Sequence, residues 1–254
     1  MEFFLIVVFG VLGAICASFI GVVVARLHTG QSFVRGRSQC DVCNTPLKPL
    51  SLVPIISFAT SRGRAQCCGA HISWISPLTE VLLGFLFVLA YISLGLVPAL
   101  PFVLISLAIL LGLVLYDLTH QILPSMLLYP FVMTGALSGF LQAPSLMVFA
   151  TTTFVAFCIA TSLAAIHFFS RGRAMGLADA PLSFGLALLV GPVALTGFVF
   201  SFWIGAAIGI VLLLRRPIGS RMGVEVPFAP FLAAGFLLAY FTQWNLFTLI
   251  VASL

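Results

Sequence analysis

Eight long apolar runs leave this chain few ways to fold. They lie at about Phe3–Val24, Leu78–Leu96, Pro101–Tyr116, Ser125–Leu141, Leu146–Phe169, Leu177–Val190, Val193–Leu214 and Phe228–Val251. Most approach the roughly 20 residues an α-helix needs to cross about 30 Å of hydrocarbon. Of the 254 residues, 62% are hydrophobic and 7% charged, whereas about a quarter of a soluble domain is charged. Lipid offers no water to pair backbone N–H and C=O groups, so each run must pair its own and form a helix. The expected fold is all-α, a polytopic membrane bundle of about eight transmembrane helices. The expected divisions are a first helix in residues 1–27, a polar insertion in 28–76 and a membrane domain in 77–254. Phe3–Val24 has no basic n-region before it and reads as a permanent helix rather than a cleaved signal.

Charge sets the orientation. Every Lys and Arg falls in three places: Arg26 to Arg64, Arg171 with Arg173, and Arg215, Arg216 and Arg221. Eight crossings put all three on one face, which the positive-inside rule makes cytoplasmic, with both termini outside. The formal charge of +5 therefore reports orientation and implies no nucleic-acid surface. A bacterial cytoplasmic membrane is the expected location, with the bilayer itself as a partner. The outward connectors, around Pro98, Pro144 and Gly191-Pro192, are too short to build a domain.

In so uncharged a chain, acids near helix ends stand out. Asp117 closes the third apolar run and is followed by the polar turn to Pro124, while Asp179 opens the sixth. The topology puts both at the cytoplasmic face. Two carboxylates held close cannot both ionise and come to share a proton. That suits aspartic hydrolysis, in which one acts as base on water and the other donates to the scissile carbonyl. Intramembrane acids also serve as proton or ion carriers, so a polytopic transporter using Asp117 and Asp179 is the alternative. Gly176, just before Asp179, would let a substrate strand approach the backbone. Glu80 reads either as a first-turn acid favoured by the helix dipole or as a third functional acid. His28, His120 and His167 sit near membrane edges and read as interfacial polar residues.

The insertion holds a second constellation. Cys40-x-x-Cys43 is a knuckle that can present two thiolates to one metal, and cytoplasmic placement argues against disulfides. Zinc is the expected ion. The second half, Cys67-Cys68-Gly69-Ala70-His71, leaves two completions open: all four cysteines, Cys40, Cys43, Cys67 and Cys68, or three cysteines with His71 as the fourth ligand.

These segments together resemble the type IV prepilin peptidases, the leader peptidases of pilus and type II secretion systems. The resemblance runs through Ala17-Ser18-Phe19, Cys40-Asp41-Val42-Cys43, Arg62-Gly63-Arg64, Cys68-Gly69-Ala70-His71 and Pro77-Leu78-Thr79-Glu80. It continues through Asp117 to Pro124, Gly176-Leu177-Ala178-Asp179 and Val226-Pro227-Phe228-Ala229-Pro230-Phe231. The family's second motif is Gly-x-Gly-Asp, and Ala178 stands where its second Gly falls. Pro181 stands where a Lys is usual, and Ala65 where the second cysteine pair begins. The resemblance implies a membrane aspartic endopeptidase with Asp117 and Asp179 catalytic and a zinc-ribbon-like cysteine insertion. Its expected substrates are prepilins or pseudopilins, cut at the cytoplasmic face. Many family members also methylate the new N-terminus using S-adenosylmethionine, so the resemblance implies an N-methyltransferase activity as well.

Overall fold

Each of the eight apolar runs contains a helix in the computed structural model, the last of them over Ala229–Thr242 only, and the structure describes residues 2–27, 39–40, 42–43, 45–46, 54–173, 175–215 and 227–246. Nine α-helices occur among the described residues. They are α1 (Glu2–Arg26), α2 (Ile56–Ser61), α3 (Ile75–Leu94), α4 (Leu100–His120), α5 (Ser125–Gln142), α6 (Leu146–Ser170), α7 (Asp179–Val190), α8 (Ala194–Leu214) and α9 (Ala229–Thr242). No strand occurs among these residues; pairing is limited to the isolated bridges Gln39↔Pro46 and Arg64↔His71. The short helix α2 lies in the polar segment, where no apolar run announces it.

The chain divides into two units, one of Met1–Leu96 with Leu107–Leu115, the other of Val97–Ser106 with Tyr116–Leu254. In the first unit α1 packs along α3. The seam is made of small residues. A Cβ on Gly13 would lie 2.7 Å from Gly84 Cα, and one on Gly84 would lie 2.8 Å from the Gly10 carbonyl. Apolar side chains gain nothing by leaving lipid for each other, so such a pair is held by close backbone packing. Glu80 lies past the first turn of α3, because the helix starts at Ile75 and runs through Pro77. A proline in the first turn forfeits no helical hydrogen bond. Glu80 is buried and accepts the Ile55 N–H at 2.7 Å, so it serves the start of α2 rather than the dipole of its own helix.

The second unit is built around α7. Ala180, Leu182, Ser183 and every residue from Gly185 to Val190 are buried, because α5, α6 and α9 all pack against this helix. Gly135 abuts Gly185 and Gly139 abuts Leu188, so α5 and α7 run in the same direction. In contrast, α8 descends as α9 rises: Gly197 meets Phe236, Gly205 meets Phe231, and Ser201 hydrogen-bonds the Leu232 carbonyl.

Five stretches of the described residues are long and apolar enough to cross a membrane: α1, α3, α4, α6 and Asp179–Leu212. The last is continuous in composition but not in direction. Helix α7 ends at Gly191, whose φ of 75° stops it, and a 3₁₀ turn at Gly191–Val193 precedes α8. Since α7 and α9 start together and finish together (Val190 and Tyr240 line one cavity), α8 must run back against α7. At 12 residues α7 is about 18 Å long at 1.5 Å per residue. It is a core helix enclosed by longer ones.

Close backbone contacts define the expected cost of adding a methyl. Gly84→Ala and Gly197→Ala should each destabilise the protein by about 1–3 kcal/mol through overpacking, read as a lower thermal midpoint in detergent. Gly209, with nothing within 4 Å of an added Cβ, is the control. Gly209→Ala should not lower the midpoint, and equal losses at all three positions would refute the seam argument.

Candidate active site and metal centre

Asp117 lies in the last turn of α4 and Asp179 opens α7. The two are 62 positions apart in sequence, yet both are 6% exposed and close enough for one carboxylate to feel the other's charge. Each is held by backbone N–H groups. The first N–H of α9, on Ala229, donates to Asp117 Oδ2 at 3.2 Å. The Gly176 N–H donates to the Asp179 carboxylate, while the Asp179 N–H donates back to the Gly176 carbonyl at 3.3 Å. A carboxylate gains from the partial positive charge of a helix N-terminus. Here α7 supplies that end to its own Asp179, and α9 supplies it to Asp117.

Local sequence explains both placements. Helix α4 runs on past the acid to His120 and stops where Gln121 turns left-handed at φ 54°, its N–H closing on the Asp117 carbonyl at 2.8 Å. Pro230 occupies the first turn of α9 and has no N–H to offer, which leaves the Ala229 N–H facing Asp117. Ala229 is wholly buried. Its part in the site was missed from sequence, since a backbone donor has no residue signature; the Pro227-Phe228-Ala229-Pro230 segment was the available signal. Gly176 stands against the acid itself: an added Cβ would lie 3.4 Å from Asp179 Oδ2. Among the histidines, the His120 ring lies tilted against Tyr116 with ring centroids 4.4 Å apart, and His28 lies outside the described residues. Glu80 belongs to the other unit. A cavity of about 200 Å³ between Gln142, Thr152, Gly191 and Tyr240 is at the opposite end of α7 from Asp179.

The thiols of Cys40, Cys43, Cys67 and Cys68 gather with all four Sγ atoms within 4.8 Å of one another. Individual separations are 3.7 Å for Cys40–Cys68, 3.3 Å for Cys43–Cys67 and 3.9 Å for Cys67–Cys68. A tetrahedron with metal–sulfur bonds of about 2.3 Å has edges of about 3.8 Å, so the set fits one tetrahedral ion. Two turns bring it together. Gln39 bridges Pro46 around the first knuckle, and Arg64 bridges His71 around the second. Within the second, Gly69 at φ 71° lets the chain reverse between the adjacent cysteines and His71. His71 is engaged in that backbone pairing and is not among the gathered ligand atoms. Thr45 draws the Cys43 thiol down to about 6, and hydrogen bonds to Cys43 and Cys40 push Cys67 up to about 12. The four thiols share protons through these hydrogen bonds, and a cation would displace them.

A family model described as Bacterial Peptidase A24 N-terminal domain matches residues 11–94. The prepilin leader peptidase/N-methyltransferase of Bacillus subtilis is 31% identical over 246 residues, spanning 91% of this chain and 91% of the relative. The chain belongs to the prepilin leader peptidase/N-methyltransferase family. A relative of the same name from Aeromonas hydrophila is 30% identical over 203 residues, 78% of this chain and 68% of its own. One from Myxococcus xanthus is 40% identical over 134 residues, 51% of this chain and 39% of its own. No solved structure matches the chain. Family membership and the apolar helices make this a multi-pass membrane protein, and nothing in the comparisons supports the transporter alternative.

The cysteine cluster yields a direct measurement. Protein purified without chelator should hold about one divalent metal per chain, as a closed four-thiolate site does. Cys40→Ser, Cys43→Ser and Cys67→Ser should each lower that content, while His71→Ala should not. Because bound thiols must be deprotonated, the metal should leave as pH falls. Metal-free protein, or loss with His71→Ala alone, would contradict the four-cysteine set.

Proposed function

We propose that this protein is the aspartic endopeptidase of a pilus or type II secretion system. It cuts the basic leader from prepilins or pseudopilins at the cytoplasmic face of the bacterial inner membrane. The observation that carries this reading is the meeting of Asp117 and Asp179, two buried carboxylates brought from separate helices and seated at helix N-termini. One removes a proton from water as the water's oxygen attacks the scissile carbonyl, and the other donates a proton to the carbonyl oxygen. The C–N bond then breaks and its nitrogen takes a proton from the pair. A substrate with a basic leader and an apolar helix is held with its leader in the cytoplasm by the charge rule that orients the enzyme. Its leader–helix junction therefore arrives at the depth of the acids.

The relatives' names also support N-methylation of the mature N-terminus. S-adenosylmethionine is the proposed methyl donor. Zinc is the proposed metal, held by Cys40, Cys43, Cys67 and Cys68. It would act as a structural brace, with no role in hydrolysis.

Co-expression with a candidate prepilin, followed by the mass of the mature N-terminus, tests both activities. Asp117→Asn and Asp179→Asn should each slow cleavage by about 10²–10⁴-fold while the protein stays folded. The double variant should be no worse than either single one, as for groups acting as a unit. Rate against pH should be bell-shaped, with limbs belonging to the pair. Full leader removal by Asp179→Asn would exclude this pair as the catalyst. For orientation, a reporter inserted after Gly172 should read as cytoplasmic and one after Pro144 as external. The reverse pattern would put the acids on the wrong side for a leader.

A further inference from the structure

The connection from α6 to α7 contains an arrangement the hydrolytic reading leaves unused. Helix α6 stops through two left-handed residues, Arg171 at φ 54° and Gly172 at φ 74°. The Arg171 N–H returns to the Phe168 carbonyl and the Gly172 N–H to the His167 carbonyl. At position 172 a side chain would crowd the His167 ring, since an added Cβ would lie 3.3 Å from its Cε1. With no side chain there, the imidazole folds along the turn, and Nδ1–H donates to the carbonyl of Met175, eight residues on, at 2.8 Å.

That carbonyl is half of a peptide unit whose other half is the Gly176 N–H. The unit is planar and trans, so its C=O and N–H point in opposite directions and turn together. The imidazole grips one end, and the other end faces the Asp179 carboxylate: a Cβ on Gly176 would lie 3.4 Å from Asp179 Oδ2, and the Asp179 N–H closes back on the Gly176 carbonyl at 3.3 Å. The connected path runs from His167 Nδ1–H, through the Met175–Gly176 peptide, to the second aspartate. Hydrogen bonds in series polarise one another, so holding the carbonyl also strengthens the donation at the far end. We propose that His167 is a positioning residue for Asp179, acting through the Met175–Gly176 peptide plane. Its hydrogen bond is to the Met175 carbonyl and not to the aspartate itself. Its effect is to fix the donor that aims one carboxylate at the other, where a small misplacement is costly in rate.

The activity arm of the test rests on the peptidase reading, so a second arm is independent of it. His167→Phe keeps an aromatic ring beside Phe168, which it now meets edge-on at 5.5 Å, but loses the donor. His167→Asn keeps an N–H donor near the position of Nδ1. In hydrogen exchange with full-length protein in detergent, His167→Phe should speed exchange of the Gly176 amide at least tenfold. The amides of Leu186 to Val190 should stay as in wild type, and His167→Asn should restore most of the protection at Gly176. In cleavage assays on a candidate prepilin, His167→Phe should lower kcat about 10- to 100-fold with KM changed less than twofold, and His167→Asn should recover most of it. Unchanged Gly176 exchange in His167→Phe overturns the proposal, as does an Asn variant no better than the Phe variant. Full kcat in His167→Phe, with Asp179→Asn inactive, also overturns it while leaving the peptidase reading intact. If wild-type protein cleaves no prepilin, the peptidase reading falls and the exchange arm alone decides the role of His167.

Discussion

Burying two carboxylates together at the end of a membrane helix is the constraint the second unit is built to meet. An ionised carboxylate without partners in an apolar surround is too costly to persist. Among the described residues the cost is met by backbone: the α9 N-terminus on Asp117, and the α7 N-terminus with the Gly176 N–H on Asp179. Backbone donors carry no net charge of their own. They can steady a carboxylate without the tight ion pair that would keep it from exchanging a proton with water. The position of α9 follows from this, since Ala229 can reach Asp117 only if α9 begins at the depth where α4 ends. Helix α8 must then return antiparallel to it, and the glycines at 197, 205 and 235 permit the close approach.

The secondary structure was legible because lipid removes alternatives. All eight apolar runs contain a helix, and Asp117 and Asp179 stand out where so little else is charged. Boundaries were less legible. Helix α3 starts at Ile75 rather than Leu78 because the first turn of a helix tolerates Pro77, and that shift moves Glu80 out of the first turn. Helix α2 has six residues and too short an apolar pattern to announce itself. The continuous apolar stretch Asp179–Leu212 was divisible only through Gly191-Pro192, and the burial of α7 on all sides depends on neighbours its own residues do not specify.

The finer parts of the site were hidden for a different reason. The donor to Asp117 is an N–H on an alanine, and every residue but proline has one. His167 reads from sequence as a polar residue at a membrane edge, because its reach to Met175 exists only once Arg171 and Gly172 have turned the chain. Among the cysteines, the irregular spacing of Cys67 and Cys68 left His71 open as a ligand. The turn at Gly69 and the Arg64↔His71 bridge are what separate the histidine from the four sulfurs. Composition identifies the chemistry, whereas turns decide which groups take part in it.

The brevity of α7 makes the second unit a depth gauge. Its far end meets the far ends of α5 and α9, so its 12 residues set how far Asp179 lies from that end. One helical turn more or less would shift the acid by about 5.4 Å along the axis, away from Asp117 on a helix of separate origin. On the proposed function, the bond to be cut would then be chosen by its distance from the membrane surface. Peptide carbonyls within a continuous helix are already engaged four residues on. The position at which a bound chain leaves its helix is therefore what this enzyme would measure.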